Sequence, residues 1–187
     1  MMPDMSANLL DAARAQLILV DHQQRLMPAI AGGERVLARA LRLARLAHAL
    51  AVPCLATEQS PAKLGPVEEP LRGLCRQVLA KTHFDACADG LLEPVQAAAL
   101  AGREQLVVAG CEAHVCLLQT VLGLQAAGLR TWVVADACGS RDPLDCELAL
   151  RRLEAAGAVL VSSEMVGFEW VRHAGHPQFR TLQALVR

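Results

Sequence analysis

Three side chains able to do chemistry stand where short apolar runs end: Asp21 after "LILV", Lys81 after "QVLA", and Cys116 just past "LVVAG". A cysteine sulfur attacks a carbonyl carbon as the thiolate, and a nearby ammonium favours that charge. A carboxylate within reach can take the thiol proton and return it to a leaving group. The trio therefore has the parts of an acyl-transfer site. Cys116 falls in the first turn of a helix that follows a strand, where unpaired backbone N–H groups and the helix dipole favour an anion, so its pKa is expected to fall. Each residue also has an ordinary reading: Asp21 as a turn cap, Lys81 as a solvated charge, the thiol as a small buried hydrophobe. Cys54, Cys75, Cys87, Cys138 and Cys146 read most simply in that last way.

The elements that must position these residues follow from the pattern of apolar runs. Strands are predicted at 16–21, 53–59, 77–81, 104–110, 129–137 and 158–163, the third weaker than the others. They are short and apolar without alternation, as strands of a parallel sheet covered on both faces should be. Between them lie helical patterns at 34–52, where Arg35, Arg39, Arg42 and Arg45 flank an Ala/Leu stripe, at 93–101, at 113–128 and at 142–157, with a terminal helix opened by Pro177. Asp142 and Pro143 give the fourth of these an N-cap and first position. The Pro- and Gly-punctuated stretch 60–74 is a loop that could cover something. Strict alternation predicts an α/β fold: a three-layer α/β/α, Rossmann-like domain around a six-stranded parallel sheet. One domain over 1–187 is expected, with 1–14 a loosely ordered lead-in. In such sheets ligands bind beyond the carboxyl ends of the strands, which is where Asp21, Lys81 and Cys116 fall.

Composition excludes several function classes. Formal net charge is −1 with no basic cluster, and aromatic residues are 3% with no Tyr, so neither nucleic acid nor an anionic membrane surface is an expected partner. No G-x-G-x-x-G and no P-loop provide a phosphate cradle. Seven cysteines form no spaced framework, and the first sixteen residues lack the basic and apolar regions of a signal peptide. A reducing, cytoplasmic setting and a small-molecule substrate are the expectation.

Asp in "LVD", Lys in "AKTHFDA", and Cys in "AGCEAHVC" followed by "TVLGLQAAGLRTWVVADACGSR" resemble the isochorismatase-like cysteine hydrolase family from about residue 16 to 185. "TEQSPAKLGP", "GCEAHVC" and "HPQF" are most similar to its isochorismatase domain-containing branch. The resemblance implies that Asp21, Lys81 and Cys116 are a catalytic triad. It also implies a non-proline cis peptide at Cys111–Glu112, with the backbone N–H groups of Glu112 and Cys116 as an oxyanion hole. A donor of that kind contributes about 3 kcal/mol to transition-state stabilisation. Leu26, Gln59, Phe84 and His114 are implied near the substrate, and a homo-oligomer, dimer or tetramer, is implied for the assembly.

Departures from the family narrow the chemistry. Isochorismatases proper carry no cysteine at the nucleophile position, so Cys116 points to an acyl carbon rather than a vinyl ether. The metal-holding His and Asp of nicotinamidases have no counterpart in "TEQSPAKLGPVEEP", so no metal and no cofactor are expected. His22 and His83 flank Asp21 and Lys81 and would be the alternative metal set. Arg141 either closes a salt bridge or binds an acidic substrate. The expected activity is hydrolysis of a small amide, ureido or ester bond through a Cys116 thioester. The alternatives are a binding or scaffold module that keeps the pocket, and thiol redox work by Cys111 with Cys116.

Overall fold

The computed structural model describes residues 9–186. Six parallel strands, β1 (Ala15–Val20), β2 (Cys54–Gln59), β3 (Gln77–Lys81), β4 (Gln105–Gly110), β5 (Arg130–Val134) and β6 (Val159–Val161), form one sheet in the order β3-β2-β1-β4-β5-β6. The chain grows outward from β1 to β3, then returns to lay β4 on the other side of β1. Strand order reverses between β1 and β4, and in sheets of this kind the space beyond the carboxyl ends at such a point is where ligands bind.

Among the described residues eight α-helices connect and cover the sheet: α1 (Gly33–Ala49), α2 (Pro61–Leu64), α3 (Glu69–Arg72), α4 (Leu92–Leu100), α5 (Leu118–Ala126), α6 (Pro143–Ala155), α7 (Ser163–Val171) and α8 (Phe179–Val186). α1 packs with α7 and α8 in one outer layer, and α5 packs with α6 in the other. Among the described residues no helix is long and apolar enough to cross a membrane. Every residue of β1, β2 and β4 is buried, which is why these runs are apolar without alternation. β3 has a single neighbour and is half-exposed, which accounts for its weaker pattern. α5 turns Leu118, Val121 and Leu124 into the core, so core burial explains its apolar stripe.

Several boundaries differ from expectation for physical reasons. α1 stops at Ala49, because Ala51 adopts φ 54 and Pro53 disfavours helix before it. The predicted helix 113–128 begins as a π-helical turn over Ala113–Leu117 before α5. Asp142 caps α6 by accepting from the Leu144 amide at 2.8 Å, with Pro143 at the first position. The last helix begins at Phe179 rather than beside Pro177. Of the lead-in expected to be loose, 1–8 lies outside the described residues, and 9–14 corrects the expectation. Leu10 is fully buried, its amide donates to Glu169 Oε2 at 2.7 Å, and the Asp11 amide donates to Gln105 Oε1 at 2.7 Å.

At the carboxyl ends of β1 and β4, Gly110 pairs with Val20. A Cβ on Gly110 would stand 2.5 Å from Val20 Cβ and 2.6 Å from Val20 O. Backbone in a central strand cannot yield, so Gly110→Ala is expected to destabilise by about 1–3 kcal/mol. A lowered urea midpoint with an unchanged m-value would show it.

Candidate active site

β1 runs directly into Asp21, whose backbone is left-handed at φ 55, a conformation that aspartate tolerates better than most side chains. Its amide donates to Thr57 O at 3.2 Å, and its Oδ1 accepts from the Thr57 hydroxyl at 2.6 Å, so the end of β2 fixes the carboxylate. Lys81 is the last residue of β3. Its ammonium reaches past β2 to stand 2.8 Å from Asp21 Oδ2, and neither side chain has any exposed surface. A buried pair of this kind holds only when its remaining groups are satisfied. Lys81 Nζ donates to Gln59 Oε1 at 2.7 Å and to the carbonyls of His83 and Phe84 at 3.3 and 3.4 Å. Asp21 Oδ2 faces that ammonium outside hydrogen-bond geometry and has no donor among the described residues.

Cys116 sits in the π turn, with 6% of its surface exposed and its Sγ 3.9 Å from Gln59 Oε1. Burial, and then the charge of Asp21, push its pKa up to about 12 against the opposing pull of Lys81. This overturns the expectation of a lowered value. The turn that carries the sulfur is closed in by its surroundings, and the loss of water around the anion outweighs the ammonium. At neutral pH the sulfur rests as a thiol.

The loop between β4 and the π turn is tied on three sides. The Cys111 amide donates to Val20 O at 2.9 Å, and the Ala113 amide to Gly139 O at 2.8 Å. The Cys111–Glu112 peptide bond is cis. The Glu112 carboxylate accepts from Arg141 Nε at 2.9 Å and from the Arg141 amide at 3.1 Å. Arg141 thus takes the salt-bridge reading, with Glu112 as its partner. His114 Nδ1 lies 2.9 Å from the Ser140 hydroxyl. The backbone N–H of Glu112 has no acceptor among the described residues.

The other candidates scatter around this centre. Phe84 is half-exposed at the rim, and Leu26 packs on a small cluster of Met27, Ile30, Val36 and Cys111. Gln59 is buried with both ends engaged, since its Nε2 also donates to Thr82 O at 2.8 Å, so it positions Lys81. The alternative metal set does not assemble. His83 is exposed and pairs with Asp89 at 2.8 Å, and His22 is wholly buried, its pKa lowered to about 4. Among the described residues no group of three His, Cys, Asp or Glu could hold a metal ion.

Sequence reasoning missed Thr57, Gln23 and Glu58. Gln23 staples β2 to the covering segment: it accepts from the Gln59 amide at 2.7 Å and donates to Gly65 O at 2.6 Å. Glu58 accepts from the Val67 amide at 2.9 Å and pairs with Arg72. The signal was three polar residues, "TEQ", closing an otherwise apolar buried strand.

Opposed charges acting on one thiol give a signed expectation. Asp21→Asn should lower the Cys116 pKa and speed its alkylation by iodoacetamide at pH 8, about tenfold for every pH unit by which that pKa falls. Lys81→Met should slow the same reaction. Unchanged rates in both variants would show that neither charge acts on the sulfur. His22 adds a pH dependence to stability: its folded value lies below its ordinary 6.5, so the contribution is present above that pH and lost as pH falls toward 4. His22→Gln should flatten the acid limb of a denaturation series.

The isochorismatase domain model matches residues 15–165. Isochorismatase domain-containing protein 2A of Mus musculus is 37% identical over 174 residues, 91% of this chain and 82% of that protein. Among solved structures, the MAR1 ribonuclease from Caenorhabditis elegans superposes with a TM-score of 0.87 at 30% identity, covering 95% of this chain and 92% of that one. The YcaC gene product from Escherichia coli superposes with a TM-score of 0.81 at 25% identity, over 95% of each chain. With four-fifths of its length matched by the domain model and a third of its residues shared with curated relatives, the chain belongs to the isochorismatase family.

Proposed function

We propose that this chain is a cysteine hydrolase that acts on a small amide, ureido or ester carbonyl, with Asp21, Lys81 and Cys116 as its triad. The observation that carries the reading is the Asp21–Lys81 pair, 2.8 Å apart and wholly buried, beside a thiol whose ionisation both charges influence. Structural ion pairs are seldom buried so completely next to a nucleophile without a task. The likeness to YcaC, described as an octameric hydrolase of unknown specificity, supports the class of reaction.

The geometry supports the following sequence of steps. Asp21 Oδ2, free of other donors, takes the Cys116 proton as the sulfur adds to the carbonyl carbon, so the thiolate forms only with a substrate in place. The amides of Glu112 and Cys116 hold the developing oxyanion. Asp21 returns the proton to the leaving nitrogen or oxygen, the C–N or C–O bond breaks, and an acyl-thioester remains. Water, deprotonated by Asp21, adds to the thioester; the C–S bond then breaks, the carboxylic acid leaves, and Asp21 returns the proton to the sulfur. Lys81 holds Asp21 in place throughout and balances its charge whenever the proton is elsewhere. Leu26, Phe84 and His114 shape the substrate end of the cleft. The Caenorhabditis elegans neighbour is named a ribonuclease, but a net charge of −1 and 3% aromatic residues favour a small substrate here.

A homo-oligomer belongs to the same proposal. Leu144 and Leu148, one turn apart on α6, are exposed apolar surface that a second copy would cover, and light scattering gives the subunit number. Activity is tested with an ammonia-release screen over small amides and ureides. Cys116→Ser should lose about a thousandfold in kcat on any substrate found, with its circular dichroism unchanged. Full turnover by that variant removes Cys116 as nucleophile. Silence of the native protein across the panel, with Cys116 still open to alkylation, favours a binding module instead.

A further inference from the structure

We propose that Cys54 and Cys75 are a reversible thiol–disulfide pair, a modification site at the edge of the sheet opposite the candidate active site. Their sulfurs lie 3.6 Å apart. The two backbones are held side by side where β2 begins, because the Arg76 amide donates to Cys54 O at 2.8 Å. Closure to a covalent S–S bond thus asks for a side-chain movement of about 1.5 Å, with the strands already in register. No other thiol contact of this kind occurs among the described residues, and all seven cysteines are free.

The two sulfurs are unlike, which divides the roles. Cys54 is buried, whereas Cys75 is partly exposed. Donation by the Cys54 thiol and the charge of Arg72 favour the Cys75 thiolate, and the same contact holds Cys54 protonated. Both line a cavity of about 790 Å³ with His48, Arg76 and Arg103, large enough to admit a peroxide or a tripeptide-sized thiol. β2 spans about 17 to 20 Å at the usual rise, so this cavity is separate from the cleft around Cys116.

The oxidant is a hydroperoxide. The Cys75 thiolate attacks its outer oxygen, the O–O bond breaks, and water or an alcohol leaves after protonation, giving a Cys75 sulfenic acid. Cys54 Sγ attacks that sulfur, its thiol proton leaves with the displaced hydroxyl as water, and the disulfide forms. Two thiols have then given two electrons to one peroxide. Two equivalents of a small thiol reverse it by exchange. The bond closes β2, α2 and α3 into one covalent loop, the segment that Gln23 fastens at Gly65 and Glu58 at Val67.

Trypsin tests this cleanly, since cleavage leaves Cys54 in peptide 46–63 and Cys75 in peptide 73–76, with no other cysteine in either. The native protein is treated with stoichiometric hydrogen peroxide, alkylated and digested without reduction. The expected product is the 46–63/73–76 cross-link, about 2 mass units below the sum of the free peptides and abolished by dithiothreitol. Cys54→Ser should instead trap Cys75 as a dimedone adduct, and Cys75→Ser should yield neither product. Both peptides recovered in alkylated form from the peroxide-treated native protein would overturn the proposal. Dimedone capture at Cys54 rather than Cys75 would overturn the division of roles. The decisive arm uses the unaltered chain, so a variant that folds poorly cannot obscure the result, and the outcome is independent of any hydrolytic activity.

Discussion

An aspartate and a lysine, both stripped of water and pressed together across the end of an intervening strand, set the terms for the rest of the molecule. Withdrawing either partner from such a pair costs about 3–5 kcal/mol, because the survivor is left buried and uncompensated. The surrounding polar residues answer that cost. Thr57 holds one carboxylate oxygen, Gln59 holds the ammonium, and the carbonyls of His83 and Phe84 take its other protons. The parallel topology makes this possible, since only a sheet whose strands end on the same side delivers β1, β2 and β3 to one place.

The state of the sulfur follows from the pair. Burial, and then the charge of Asp21, outweigh the pull of Lys81 at Cys116, so the resting sulfur stays protonated. A thiol of this kind resists stray oxidation and alkylation in the resting protein. Cys75, in contact with the Cys54 thiol and beside Arg72, is tuned the opposite way. The two ends of one strand layer thus hold sulfurs of contrasting character.

Much of this was legible in the sequence. Unbroken apolar runs gave the buried strands β1, β2 and β4, and the alternation with amphipathic segments gave the doubly wound order. Asp21 and Lys81 were visible because each ends such a run. The thiol pKa was not, since desolvation depends on what closes over the turn, and that closure comes from distant segments. Thr57 and Glu58 were hidden for a related reason: a polar residue at a strand end looks solvated until its partner strand is known. The anchoring of Leu10 and the meeting of Cys54 with Cys75 depend on pairings 21 to 159 residues apart, which local pattern cannot report.

The ammonium of the central pair is carried by β3, the outermost strand on its side, bonded along one flank and open along the other. Edge strands fray before cores melt. Mild heating or dilute denaturant would therefore loosen Lys81 while β1 and β4 remain intact, stranding a carboxylate in the interior. The machinery at the cleft is less durable than the scaffold that bears it, and its failure arrives as a separate, earlier event.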